Sequence, residues 1–108
     1  MPNVIIAPCA IEQIAEVVHQ TRIDYGEHKE RQYDELVESA LETLAENPRM
    51  GTHRPEIHPD AWTYHIGKRG KRARHLFLYR ISEAVEVARF LYDAMDLPRH
   101  VPEEWHDA

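Results

Sequence analysis

The sequence predicts one α+β domain, in which a strand leads into an antiparallel two-helix hairpin and then into a three-strand antiparallel meander. Three observations support this prediction: a β-branched run near the N-terminus, helical spacing of apolar residues up to residue 47, and three strand-like stretches after a proline-rich break. The chain has 108 residues, which is close to the commonest size of a domain. We therefore expect residues 1–108 to form a single domain.

The first half of the chain contains the first strand and both helices. The run from Asn3 to Ala7 holds three β-branched residues and ends at Pro8, which suits a strand. Helical spacing runs from Cys9 to Gly26 and again up to Asn47, which precedes a proline. The predicted buried positions are Ile11, Ile14, Ala15, Val18, Arg22 (by its stem) and Tyr25, then Tyr33, Leu36, Val37, Ala40, Leu41, Leu44 and Ala45. Helices joined by so short a link should pack as an antiparallel hairpin.

The second half of the chain is predicted to form the meander. Three prolines and Gly51 between residues 48 and 61 indicate an irregular connection. Strands are predicted at Trp62–Ile66, His75–Ile81 and Ala84–Tyr92, and the last two are partly apolar on both faces. We expect the helices to cover one face of this sheet and the other face to be a concave surface, partly closed by the C-terminal tail.

The composition argues against several classes of protein. The single cysteine, Cys9, cannot form an internal disulfide or a cysteine-based zinc site, so we expect a reducing compartment and a small apolar role for Cys9. The apolar N-terminal run is shorter than that of a signal peptide, and no stretch approaches the roughly 20 apolar residues of a membrane span. The sequence therefore predicts a cytoplasmic protein without a membrane partner.

Positive charge is concentrated in one place. The net charge of -6 argues against a surface that binds nucleic acid everywhere. Five of the seven residues from Lys68 to Arg74 are basic, whereas the remainder of the chain carries 8 basic and 19 acidic residues. This basic segment, residues 68–74, is the candidate contact for phosphate or for an acidic partner. The alternative is that it is a solvated hairpin tip.

Three stretches carry a resemblance to a known family. They are ALETLAENPRMG at residues 40–51, HLFLYRI at residues 75–81 and VARFLYDAMDLPRH at residues 87–100. In this order and spacing they resemble the RelE/ParE superfamily, the toxic halves of bacterial type II toxin-antitoxin pairs, and the order of elements matches along nearly the whole chain. The Pro-x-x-Gly of residues 48–51 and the Met-Asp of residues 95–96 are more similar to the ParE side. The resemblance implies a RelE/ParE-like fold.

The resemblance implies a target and a protein partner. ParE-like members poison DNA gyrase, whereas RelE-like members cut messenger RNA on the ribosome, and a non-toxic family member is a further alternative. A ParD-like or similar antitoxin would fold its acidic C-terminal part across the toxin. The candidate target-binding residues are Lys68, Arg69, Lys71, Arg72, Arg74 and Arg89. The candidate antitoxin-binding residues are Val17, Ile23, Tyr25 and Trp62, whose alternative role is ordinary core packing.

A ribonuclease would need a base, an acid and cations that converge on one phosphate. The chain offers Arg72, Arg74, His75, Tyr79 and Arg80 for these roles. Tyr79 and Arg80 are neighbours in a predicted strand, so their side chains should point to opposite faces. We therefore rank gyrase poisoning first and expect no catalytic residues.

No metal or cofactor is expected. The histidines that invite a metal hypothesis are His53, His58 and His65, but their spacing matches neither a helical pair nor a closed zinc set. Trp62 and Trp105 are predicted to be packing residues, one in the sheet and one holding the tail.

Overall fold

A computed structural model describes residues 3–67 and 74–106 of the chain. Its helices and strands are β1 (Val4–Ile6), α1 (Pro8–Tyr25), α2 (Glu27–Glu46), β2 (Thr52–His53), β3 (Trp62–His65), β4 (His75–Ile81) and β5 (Val85–Tyr92). Short 3-10 turns lie at Pro48–Met50, Leu97–His100 and Glu103–Trp105. The α+β class is confirmed. In the described ranges, no helix combines the length and the apolar character that crossing a lipid bilayer requires.

The sheet has the order β1-β5-β4-β3-β2. The antiparallel pairing of β3 with β4 and of β4 with β5 confirms the predicted meander. β1 pairs with β5 in parallel. The sequence analysis predicted the strand β1 but did not predict its neighbour in the sheet. The prediction of an irregular connection over residues 48–61 is wrong at Thr52–His53, because these two residues pair with β3 and form the sheet edge.

The two helices are joined at one residue. Gly26 has a φ of 91°, a conformation that glycine adopts without steric cost. Its N–H donates to the carbonyl oxygen of Arg22 at 2.8 Å, and its own carbonyl accepts from the N–H of Glu30 at 3.1 Å. Gly26 thus ends α1 and starts α2. The predicted helical hairpin is confirmed, and α1 packs against both α2 and β5.

The core on the helical side of the sheet lies between one half of the helical hairpin and strands β4 and β5. The side chain of Gln13 in α1 accepts the backbone N–H of Phe90 at 2.9 Å, which ties the helix to β5 near the irregularity in its pairing with β4. Buried members of this core are Ala10, Val37, Ala40, Leu44, Ile66, Phe77, Tyr79, Val85, Val87 and Phe90. Trp62 packs against them, as predicted.

The buried stripe of each helix is shorter than predicted. Ile11, Ala15, Tyr25 and Leu36 were predicted to be buried, but all four are exposed. The fully buried helical positions are Ala10 in α1 and Val37, Ala40 and Leu44 in α2, which belong to the start of one helix and the end of the other. Periodicity identifies the inward side of a helix, but it does not show how far along the helix the sheet extends. The half of the hairpin around Gly26 is therefore only lightly covered.

The second face of the sheet is filled, which corrects the prediction of a concave surface. Leu76 and Leu78 in β4 are fully buried, and Leu91 in β5 is 1% exposed. The residues that cover them come from the loop before β3 and from the C-terminal tail: Ile57, Ala61, Leu97, Val101 and Trp105. The tail closes this face completely at these strands because it supplies apolar side chains of its own.

Trp105 is held from two sides, which confirms its predicted role in holding the tail. The guanidinium of Arg80 lies 5.2 Å from the centroid of the Trp105 ring and also pairs with Glu86 at 3.2 Å. A ring nitrogen of His58 lies 2.9 Å from the carbonyl oxygen of Trp105. Both the side chain and the backbone of the tail are thus fixed to the sheet.

Gly51 is required by close packing rather than by its backbone angles. A Cβ at this position would lie 2.5 Å from the carbonyl oxygen of Thr63 and even closer to the hydroxyl of Tyr79. That hydroxyl donates to the carbonyl oxygen of Pro48 at 2.7 Å, so it has little freedom to move. The absence of a side chain at Gly51 lets the turn after α2 lie directly on β3 and β4.

Replacing Gly51 by alanine should lower the free energy of unfolding by about 1–3 kcal/mol, the usual cost of overpacking. The reason is the collision of the new methyl group with the backbone of Thr63. Chemical denaturation of the two proteins measures the difference. Thr52→Ala, at an exposed neighbouring position, is the control and should change stability by less than about 0.5 kcal/mol. Equal effects of the two substitutions would contradict this account of Gly51.

Candidate partner and target interface

Gly67, which precedes the basic segment, and Arg74, its last residue, lie at the same end of the sheet. Lys68, Arg69, Lys71 and Arg72 lie outside the described residues, so the structure describes only Arg74 among the predicted basic contacts of this segment. The Nη1 of Arg74 donates to the carbonyl oxygen of Gly67 at 3.2 Å. Strands β3 and β4 pair up to His65 and Leu76, which brings Gly67 and Arg74 together.

A mixed-charge cluster lies at the base of the basic segment. The N–H of Asp93 donates to the carbonyl oxygen of Arg74 at 2.9 Å, and its carboxylate lies 3.5 Å from Nε2 of His65. Burial lowers the pKa of His65, and the positive charge of Arg74 lowers it further, while Asp93 opposes both effects. Beside Arg74, His65 therefore binds a proton less readily than an ordinary histidine.

His75 is the first residue of β4 and lies among aromatic rings. Its imidazole stacks on Phe90, with ring centroids 5.2 Å apart and planes 13° apart. Tyr92 and Tyr33 meet the same ring edge-on, at 4.8 and 6.0 Å. Burial lowers the pKa of His75, and the nearby charge of Asp93 opposes this shift.

Arg89, the remaining predicted target contact, lies in the middle of β5. It pairs with Leu78, which lies four positions after Arg74, the last residue of the basic segment. Its Nη1 donates to the carbonyl oxygen of Ala88 at 2.7 Å. The strand thus separates Arg89 from Arg74.

A cleft lies beside the lightly covered half of the helical hairpin. It has a volume of about 450 Å³, and we call it the helical cleft. Its lining residues are Val17, Thr21 and Tyr25 from α1, Lys29, Gln32, Tyr33 and Leu36 from α2, and His75 from β4. Of the predicted antitoxin-binding residues, the structure therefore brings Val17 and Tyr25 together. Ile23 is 62% exposed on α1, and Trp62 lies on β3 beside His53.

The helical cleft continues toward the basic segment. A neighbouring depression is lined by Lys29, Gln32, Glu35, Leu36 and Gly67. Leu36 and Gly67 also line a third depression, which reaches His65. One groove therefore leads from α1 past Leu36 to the residue that precedes Lys68.

Sequence reasoning missed Leu36 as a surface residue because it fits the helical stripe. The available signal was its position in the half of α2 nearest Gly26, where the turns that precede it carry Lys29 and Gln32. Leu36 is 45% exposed, which is unusual for a leucine on the inner side of a helix.

Comparison with known proteins identifies the family. The sequence profile described as the ParE toxin of the type II toxin-antitoxin system parDE matches residues 4–97. The chain belongs to the ParE toxin family. No curated protein gives a significant sequence match. A solved structure titled "Chromosomal ParDE TA system from P. aeruginosa" is similar in fold, with a TM-score of 0.69 and 14% identity. The match covers 85% of this chain and 96% of that one.

In this ParE-family chain, the residues considered for ribonuclease chemistry do not converge. Tyr79 is fully buried on the helical side, where its hydroxyl donates to the carbonyl oxygen of Pro48 at 2.7 Å. Burial raises the pKa of Tyr79 to about 12. Arg80 lies on the other face, over Trp105, which confirms the predicted divergence of the two side chains. Arg72 lies outside the described residues, and only Arg74 and His75 are neighbours among the rest.

The histidines considered as metal ligands have separate partners. A ring nitrogen of His53 lies 2.8 Å from the carbonyl oxygen of Pro59, His58 contacts Trp105, and His65 faces Asp93. Within residues 3–67 and 74–106, no three histidine, cysteine, aspartate or glutamate side chains gather as a metal site would require.

The stability of the protein should fall as the pH drops below the ordinary histidine pKa of about 6.5. His75 has a lowered pKa in the folded chain, so the unfolded chain binds more protons in this range. The stabilisation that comes from neutral His75 is fully present above the pKa of this histidine in the unfolded chain. It is lost as the pH falls through the pKa of His75 in the folded chain. Urea denaturation at several pH values between 7 and 5 measures it.

His75→Phe is the informative variant, because it removes the titrating group and keeps a ring against Phe90. The variant should lose less stability than the wild type between pH 7 and pH 5, with His65 accounting for part of the remaining loss. The same pH dependence in both proteins would show that His75 is not responsible.

Proposed function

We propose that this protein inhibits bacterial growth by poisoning DNA gyrase in the cytoplasm, and that a cognate ParD-like antitoxin neutralises it. The observation that supports this most strongly is the match of the ParE toxin family to residues 4–97. The proposed action is stoichiometric binding without catalysis. It agrees with the divergence of Tyr79 and Arg80 to opposite faces of the sheet.

The charge distribution supports target binding through the basic segment. Local positive potential speeds the encounter with an acidic surface, and an acidic remainder limits contacts elsewhere. We propose that Lys68, Arg69, Lys71, Arg72 and Arg74 contact the target. We include Arg89 as a more distant contact, because its strand partner Leu78 lies four positions after Arg74, the last residue of the segment.

The antitoxin is proposed to bind the helical hairpin. Val17 and Tyr25 line the helical cleft, and Ile23 lies on the same exposed half of α1. Trp62 pairs with Tyr79, four positions along β4 from His75 in the cleft lining, so an antitoxin that contacts both must extend along the toxin. An extended partner that folds as it binds can cover such separated positions.

Induced expression with and without the neighbouring antitoxin gene tests the function. Growth should stop when the protein is expressed alone and resume when both genes are expressed. Primer extension on messenger RNA from the arrested cells should show no new cleavage sites. Growth arrest with new cleavage sites would instead favour the ribosome-dependent endoribonuclease, and normal growth would indicate a non-toxic family member.

Replacing Arg69, Lys71 and Arg72 together by alanine should relieve growth inhibition, because it removes three of the five charges of the basic segment. The growth rate after induction should approach that of uninduced cells at equal protein level by immunoblot. The matched control replaces Arg22, Arg31 and Arg99, three exposed arginines outside the segment, and should remain toxic. Equal toxicity of the two triple variants would refute the role of the basic segment.

A further inference from the structure

A carboxylate and an imidazole lie together beside Arg74, one of the proposed target contacts. His65 is the last residue of β3, and Asp93 directly follows β5. The Oδ2 atom of Asp93 lies 3.5 Å from Nε2 of His65, a distance at which a protonated imidazole and a carboxylate form an ion pair. The N–H of Asp93 donates to the carbonyl oxygen of Arg74 at 2.9 Å, which holds the two residues side by side.

Solvent reaches both members of this pair, so His65 can exchange protons with the medium. The side chains of His65 and Asp93 are 28% and 31% exposed, respectively. The nearby His75 differs, because its ring stacks on Phe90 and meets Tyr92 edge-on. His65 is therefore the better placed of the two histidines to act through its charge on a partner at the surface.

The surroundings of His65 keep its imidazole neutral at pH 7.5. Burial lowers the pKa of His65, and the positive charge of Arg74 lowers it further, while Asp93 opposes these effects. Arg54 adds a smaller lowering of the same pKa. Since an ordinary histidine titrates near pH 6.5, His65 takes up its proton below that pH.

The other neighbours of His65 offer no second carboxylate for a proton to pair with. From α2, the uncharged Ser39 and Thr43 line the same depression as His65. Arg54, in the loop before β3, is itself paired with Glu56. Within residues 3–67 and 74–106, Asp93 is therefore the acidic group that favours the protonated form of His65.

Protonation of His65 changes the net charge of the cluster that it forms with Arg74 and Asp93. At pH 7.5 the cluster carries one positive charge on Arg74 and one negative charge on Asp93, which cancel. Once His65 is protonated, the same three side chains carry one net positive charge. The carboxylate of Asp93 then has a cation of its own within 3.5 Å, and the charge of Arg74 is no longer compensated.

We propose that His65 and Asp93 form a proton-dependent switch that strengthens target binding as the pH falls. The proton on His65 neutralises Asp93 and leaves the charge of Arg74 available to an acidic surface of the target. Proton uptake and target binding are linked, so a bound acidic target in turn makes His65 easier to protonate. This inference rests on the proposed function and concerns the regulation of its target contact.

The experiment measures binding of the toxin to immobilised gyrase by surface plasmon resonance at pH 7.5, 6.5 and 6.0. Circular dichroism at each pH checks that the toxin is folded. The wild type is compared with His65→Gln, which has no titratable group at this position. The two proteins should bind within about two-fold of each other at pH 7.5, and the wild type should bind about three-fold more tightly at pH 6.0. The ratio of the two affinities cancels the pH dependence of gyrase and of His75.

Asp93→Asn is the second informative variant, because it removes the carboxylate and keeps an acceptor oxygen and the backbone N–H. It should bind about three-fold more tightly than the wild type at pH 7.5, since the charge of Arg74 is then uncompensated. Its gain in affinity between pH 7.5 and pH 6.0 should be smaller than that of the wild type. The reason is that His65 without Asp93 binds a proton less readily.

Matched controls separate this switch from general effects of charge. His19→Gln removes an exposed imidazole from α1, and Asp34→Asn removes an exposed carboxylate from α2. Both controls should bind within about two-fold of the wild type at every pH, because exposed charges that are far from the contact are screened by salt.

The outcomes distinguish this inference from the proposed function. If the folded wild type does not bind gyrase at any of the three pH values, both are overturned. If wild type and His65→Gln bind with the same pH dependence, only the switch is overturned. The switch is also overturned if Asp93→Asn binds no more tightly than the wild type at pH 7.5, because Asp93 would then not be compensating Arg74.

Discussion

Strands β4 and β5 must be covered on both faces, and the rest of the structure follows from that constraint. Their side chains are apolar on both sides, so neither face can remain in water. The two helices cover one face, and the loop before β3 and the C-terminal tail cover the other. Trp105 closes the second face, and its contacts with Arg80 and His58 keep the tail in place.

The same arrangement leaves two surfaces available for binding. The helices are longer than the sheet can cover, so the half of the hairpin around Gly26 keeps exposed apolar residues and a cleft beside His75. At this end of the sheet, β3 and β4 also lead to Gly67 and Arg74, and five of the seven residues from Lys68 to Arg74 are basic. The groove on the helical hairpin therefore reaches Gly67, the residue that precedes the basic segment in the sequence.

Much of the fold could be predicted from local pattern, whereas the arrangement in space could not. The β4 bounds and the opposite directions of Tyr79 and Arg80 follow from strand alternation, and the basic segment is visible as sequence alone. β2 was missed because two residues within a proline-rich connection carry no periodicity, and its pairing with β3 depends on contact across the chain. Leu36 in α2 was predicted to be buried but is exposed, because helical periodicity contains no information on where the sheet ends.

The most direct test of the proposed action uses purified gyrase. Gyrase supercoils a relaxed plasmid in the presence of ATP and increasing amounts of the toxin, and the reaction is repeated after the antitoxin is added. We expect supercoiling to be inhibited by the toxin and restored by the antitoxin, with no inhibition by the Arg69→Ala, Lys71→Ala, Arg72→Ala triple variant. Unchanged supercoiling at a large excess of a toxin preparation that arrests growth would contradict gyrase as the target.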